Sequence, residues 1–217
     1  MRFFSCAPIV AMKTLSMVLI SWSSTLFGQV LFDNLSDASQ PQTVGNSSFL
    51  IFAERFSTGT STTSLTDITL KLKAIASAGT YTVNLYGDNG MSGNLSAPGS
   101  FLATVATANI NSLPSSSYTD AHSSGLSLAV APSTAYWITL STDATAHTLD
   151  WAFSHTAKAG MAYSYFTSGS WNTTGDGSYP QQMRVLGAVP EPRGYALAAT
   201  LGLLGFALWR RLVVKTV

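Results

Sequence analysis

The most constraining feature of this chain is a run of strict alternation near its middle. Ile68, Leu70, Leu72 and Ala74 are separated by Thr69, Lys71 and Lys73. A period of two puts successive side chains on opposite sides of an extended strand, one side buried and the other wet. The same period recurs along the chain. Phe49, Ile51 and Ala53 alternate with Leu50, Phe52 and Glu54, and Tyr81, Val83 and Leu85 run into the turn signal Gly87-Asp88-Asn89-Gly90. Phe101 to Ile110, Leu126 to Val130, Tyr136 to Leu140, Leu149 to Phe153, Met161 to Phe166 and Met183 to Leu186 bring the candidates to eight or nine strands. No amphipathic helix lies among them, and their spacing is too irregular for a propeller or solenoid. The expected fold is all-β: a single antiparallel β-sandwich, jelly-roll-like, over residues 29–188.

Charge narrows the function classes. Between Gln29 and Ala188, five Lys/Arg stand against nine Asp/Glu, a net of −4. Such a region lacks the basic stripe that displaces counterions from phosphates, which excludes a nucleic-acid binder. Charged residues are 10% of the whole chain, against roughly 25% in ordinary soluble domains, and short hydroxyl and amide side chains supply the polarity instead. The single cysteine, Cys6, sits in the N-terminal segment, so the sandwich has no thiol for a disulfide, a thiolate zinc site or a nucleophile.

The ends read as addresses. Arg2 and Lys13 precede the apolar run Leu15 to Trp22, and small polar residues follow through Thr25; this is the order of a secretory signal peptide over 1–28. It implies export machinery and a signal peptidase as partners. At the other end, Pro190 and Pro192 hold an extended stretch, and Tyr195 to Trp209 carries no charge. As a helix over 195–209, expected to be transmembrane, this run spans about 22 Å, short of a roughly 30 Å hydrocarbon core. Arg210 and Arg211 end it and Lys215 follows, so the positive-inside rule puts the tip 210–217 in the cytoplasm and the sandwich outside.

Val189-Pro190-Glu191-Pro192, the short apolar helix and the Arg210-Arg211 pair resemble the PEP-CTERM sorting signal over 189–217. That resemblance implies recognition by an exosortase-like membrane protease in a Gram-negative bacterium that exports polysaccharide. It also implies transient anchoring in the inner membrane before release to the cell surface or matrix. Arg193 directly after the motif, and six residues after the Arg pair, depart from the commonest form. The central region resembles a choice-of-anchor R domain in LFDNL, VNLYGDNG followed by FLATV, AYWITL and AYSYFTSGSW. Such domains precede surface-anchoring signals, and the resemblance implies location rather than activity.

Chemistry is sparse. His122, His147 and His155 form no close metal pair, and no GxSxG, P-loop or GxGxxG is present. Asp88, Asn89 and Asp176 are the fragments best suited to calcium, the one cofactor worth considering; the alternative is that they make Asx turns. Glu54 is the only glutamate of the central region, so a glycosidase pair would have to come largely from aspartates. Among late aromatic residues, Trp151, Tyr163, Tyr165, Trp171 and Tyr179 are candidates for stacking on sugar rings, with core packing as the competing role. The expectation is a non-enzymatic surface or matrix protein associated with exopolysaccharide, with a carbohydrate-binding module as alternative and a secreted hydrolase as a third.

Overall fold

The computed structural model describes residues 28–44, 51–76, 78–91, 96–143, 148–158, 162–174, 179–189, 199–207 and 209–210. Twelve strands are described: β1 (Gly28–Asp33), β2 (Gln40–Val44), β3 (Ile51–Ser57), β4 (Ser64–Ala74), β5 (Thr80–Asp88), β6 (Pro98–Asn109), β7 (Thr119–Ala129), β8 (Ala135–Thr142), β9 (Leu149–Phe153), β10 (Tyr163–Thr167), β11 (Ser170–Thr174) and β12 (Met183–Ala188). They form two antiparallel sheets of six. The first, sheet A, runs β1-β12-β4-β9-β2 with β7 also on β4; the second, sheet B, runs β11-β10-β3-β8-β5-β6.

The alternation at 68–74 does what its period demands. Ile68, Leu70, Leu72 and Ala74 turn into one cluster with Phe52 and Phe56 of β3, Val83 and Leu85 of β5, and Ile138 and Leu140 of β8. Residues of both sheets meet in that cluster, so the sheets pack face to face as a β-sandwich. Trp151 of β9 lies within it, fully buried, its indole N–H donating to the Gln182 carbonyl at 2.9 Å.

β4 organises sheet A. Leu72 pairs with Thr119 of β7 and with Trp151 of β9, while Leu70 pairs with Met183 of β12. β12 and β9 therefore share one edge of β4 end to end, and β1 and β2 line them from outside in the same order. The seam is closed by amides. Asn34 donates to the Gln181 carbonyl and accepts from the Met183 N–H at 2.7 Å, while the Gln182 amide donates to the carbonyls of Asn34 and Asp37. Both side chains are buried, and pairing of this kind is what makes buried amides tolerable.

Twelve strands exceed the eight or nine expected from the pattern. β1, β2 and β11 are the additions; each lies at a sheet edge, and β2 carries Pro41, so none has the alternation of a half-buried strand. The β10–β11 hairpin turns through Ser168 and Gly169 with φ of 51° and 83°. Two positive φ values in a two-residue loop give the turn whose twist matches its strands, and the second position takes a glycine.

At the C-terminal end the expected helix over 195–209 is described as helix at 199–207 and 209–210, here α1, and is exposed at every described position; 195–198 and 208 lie outside the described residues. Among the described residues no helix is long and apolar enough to cross a membrane.

Candidate functional site

Strand register lays out the outer face of sheet B in three rows crossing the strands. One row holds Trp171, Phe166, Ile51, Ser141, Thr82 and Thr107. The next holds Thr173, Ser164, Ala53, Thr139, Asn84 and Thr104. The third holds Arg55, Trp137, Tyr86 and Phe101. Every side chain of the middle row is short, and Ser164, Ala53 and Thr139 in it are fully buried, so the row is a covered trough between two rows set about 14 Å apart along the strands.

Large rings stand on both sides of the trough. Phe166 and Trp171 meet edge to face at 5.2 Å between centroids, and Tyr86 and Phe101 at 5.6 Å. Beneath them Trp137, Ala53 and Ala162 form a small second cluster against which Tyr86 and Trp171 pack. Trp137 is fully buried although it points away from the main core. At the β5–β6 side, Thr104 donates to the Asn84 carbonyl oxygen at 2.9 Å, which fixes the amide on the face.

The Asp88-Asn89-Gly90 turn closes one corner. Asp88 accepts from the Gly90 N–H at 2.8 Å, the Ser96 hydroxyl at 2.7 Å, the Trp137 indole at 3.0 Å and Arg55 Nε at 3.2 Å. Partial burial pushes its carboxyl up, but the donors from Ser96, Gly90 and Trp137 and the Arg55 charge outweigh it and hold the pKa below the usual carboxylate range. Three of these donors converge on Oδ2 and one reaches Oδ1, so Asp88 ties the turn to β3 and β8. Asn89 accepts from the N–H groups of Met91 and Ala97, the Asx geometry that was the alternative to calcium ligation. Asp176, the remaining calcium candidate, lies outside the described residues. Among the described residues no group of three or more His, Asp or Glu side chains is placed to hold a metal ion.

The five late aromatic residues do not share one surface. Trp151 is a core residue with no exposure, so it offers no ring to a ligand. Tyr163 and Tyr165 do lie on one side, as their spacing implies, but on the inner side of sheet B, opposite Glu54 and Phe52. Tyr179 is 45% exposed and meets Phe153 and His155 edge to face at a different corner, near the end of β9. Trp171 alone of the five is on the trough. Tyr86 and Phe101 are the trough residues that the sequence reading did not single out. The usable signal was pairing of VNLYGD with FLATV, which sets Tyr86 opposite Phe101.

Other sequence candidates are dispersed. His122 contacts Asp67 on the outer face of sheet A, and His147 lies outside the described residues. Val189 follows β12 and is half-buried, and Arg210 is exposed; Pro190, Glu191, Pro192 and Arg211 lie outside the described residues. Glu54 points into the sandwich between Phe52 and Phe56 and is fully buried, with Oε2 accepting the Gln181 N–H at 2.8 Å. Among the described residues its Oε1 and both side-chain polar atoms of Gln181 have no hydrogen-bond partner. Burial pushes the Glu54 carboxyl well up, against the lowering effect of the Gln181 and Arg55 backbone donors. A cavity of about 100 Å³ opens between β6 and β7, lined by Ile68, Leu70, Tyr81, Val83, Ala106 and Ala121 among others, well short of the roughly 300–1,000 Å³ of small-molecule sites.

Comparison of the chain with protein-family models, with curated proteins and with solved structures gives no match.

Proposed function

We propose that the chain is an exported, non-catalytic surface or matrix protein, associated with exopolysaccharide and sorted by its C-terminal tail. In this reading residues 1–28 are a signal peptide, 29–188 a jelly-roll-like ectodomain, and 189–217 a PEP-CTERM signal handled by an exosortase-like protease. The helix over 195–209 holds the protein in the inner membrane until processing.

The observation that carries the reading is the pairing of Gly28 with Ala188 on neighbouring strands β1 and β12. Among the described residues β1 starts at Gly28, the last residue of the expected signal peptide, and β12 ends at Ala188, directly before Val189-Pro190-Glu191-Pro192. Both addresses thus join neighbouring strands, and the pairs from Gln29↔Gly187 to Asp33↔Arg184 lie outside both. The α1 helix adds support: Leu201, Leu203, Leu204, Phe206 and Trp209 are all exposed, a costly arrangement in water and an ordinary one in lipid.

The deciding measurement is the intact mass of the protein from its native host, in membrane and extracellular fractions. Loss of the first 28 or so residues and of the tail beyond Val189–Pro192 is expected. Retention of the chain through Val217 in every fraction would replace sorting and release with permanent anchoring. A second reading, a carbohydrate-binding module, is favoured by the aromatic rows of sheet B rather than by the late aromatic residues as a set.

A further inference from the structure

We infer that two copies of the chain pair along β7 about a two-fold axis, which joins their A sheets into one continuous sheet. This goes beyond the sorting reading and does not depend on it.

One side of the sandwich is left open. Among the described residues β7 pairs only with β4 and β6 only with β5, so each presents a free edge. Both edges lie on the same side of the molecule, where the cavity of about 100 Å³ opens between them. Ala106 and Ala108 of β6 and Ala121, Leu126 and Leu128 of β7 pack on the core there but stay only partly buried. A free edge also carries a row of backbone N–H and C=O groups, and the surface that matches such a row is another strand.

Register selects β7 over β6. The pairing of β6 with β5 slips at three places, and bulges of this kind turn an edge away from a partner. β7 runs against β4 without a slip from Thr119 to Ser124.

The order of side chains along that stretch makes the occupant a second copy. In an antiparallel two-fold pair the residue on the axis faces itself, and its two neighbours face each other. With Ala121 on the axis, Asp120 faces the partner's His122 on the outer side, and Thr119 faces the partner's Ser123 on the inner side. An acid meets an imidazole, a hydroxyl meets a hydroxyl and a methyl meets a methyl. An axis at Asp120 would oppose two carboxylates, and one at His122 two imidazoles. The His122 side chain is 55% exposed even with Asp67 at its Nε2, so it has surface left for a second acid.

The area suits a stable pair. β6 and β7 have 12 and 11 residues. A strip about 40 Å long that spans both sheet edges and their flanking side chains, about 20 Å across, covers about 800 Å² per copy, ordinary for a specific interface. The two β6 edges then meet over the cavity mouth and cover the apolar seam.

The test is disulfide trapping of the full-length chain in mild detergent, with Cys6→Ser as background so that an added cysteine stands alone. Cα atoms that face each other in an antiparallel pair lie about 4.5–5.5 Å apart, within the span of a disulfide. Ala121→Cys, on the axis, is expected to give a covalent dimer on mild oxidation. Ser124→Cys, exposed on the same strand, would lie about 20 Å from its own copy and is expected to give none. In sedimentation the native chain is expected to be a dimer, weakened at least tenfold by Ala121→Lys, which sets two inward lysines together on the axis. A monomer throughout, no covalent dimer from Ala121→Cys, or equal trapping at both positions would overturn the proposal. So would a dimer indifferent to Ala121→Lys, the mark of association through α1. None of these outcomes touches the sorting reading, which is judged by the mass measurement alone.

Discussion

The two sheets present opposite chemistry to the outside. On sheet A, Arg184 pairs with Asp33 at 2.8 Å, Lys73 with Asp150 at 3.2 Å and His122 with Asp67, all projecting from the outer face. On sheet B the corresponding positions are threonines, serines, an asparagine and aromatic rings, with one ion pair at the corner. Sheet A carries its charge as ion pairs, of which Arg184–Asp33 is open to solvent while the Asp67 and Asp150 carboxylates are largely covered. Sheet B forgoes it over six strands and buries a tryptophan on its outer side. A face so poor in charge covers its middle with rings instead of ion pairs: Ala53, Ser164, Thr139 and Trp137 are all buried on it, with Tyr86 and Trp171 packed against the Trp137 cluster.

The sharpest way to break this comparison is to remove a tryptophan from each layer. Trp137→Ala on the outer side of sheet B is expected to cost about 3–5 kcal/mol, as much as Trp151→Ala in the core between the sheets, by chemical denaturation. A loss below about 1 kcal/mol at Trp137 would mean that its layer is ordinary surface and that the two faces differ less than their composition.

The next test uses the charge that sheet B turns inward. The folded pKa of Glu54 lies above its unfolded value of 4.5. Below that pH both states are protonated and nothing is lost. Above it the unfolded chain releases a proton that the folded chain retains, so stability falls with rising pH until the folded pKa is passed. Glu54→Gln should abolish this slope and be more stable than the native chain at neutral pH by about 1–3 kcal/mol, read from denaturation midpoints across pH 4–8. Identical pH profiles for the two proteins would show that Glu54 is not buried as described.

The smallest effect is expected on sheet A. Arg184→Ala should change stability by about 0–1 kcal/mol, because an exposed ion pair gains little over two hydrated ions. A larger loss, by thermal denaturation at low and high salt, would make that face structural rather than a solvent coat.

Much of the sandwich was legible in the sequence, because burial on one side writes a period of two into β4, β5 and β8. What the period does not contain is which side is which. Tyr163 and Tyr165 were correctly placed together, yet their side is set by pairing with Phe52 and Glu54 on β3, a partner more than a hundred residues away. Trp151 and Trp171 are the same residue type twenty positions apart, one sealed in the core and one at the trough, and only strand order distinguishes them. The trough was illegible for the same reason. Two of its rows run across six strands and the third across four, so no stretch of sequence holds more than a few of its members.

The adjacency of Gly28 and Ala188 has a mechanical side. Any pull on the chain beyond Ala188 enters the sandwich through β12, which is held by β1 on one flank and β4 on the other. Force along that strand must shear two antiparallel ladders together instead of peeling one bond at a time. A domain held by its tail against flow is thus loaded along a doubly paired strand, while the trough, on the other sheet, carries none of that load directly.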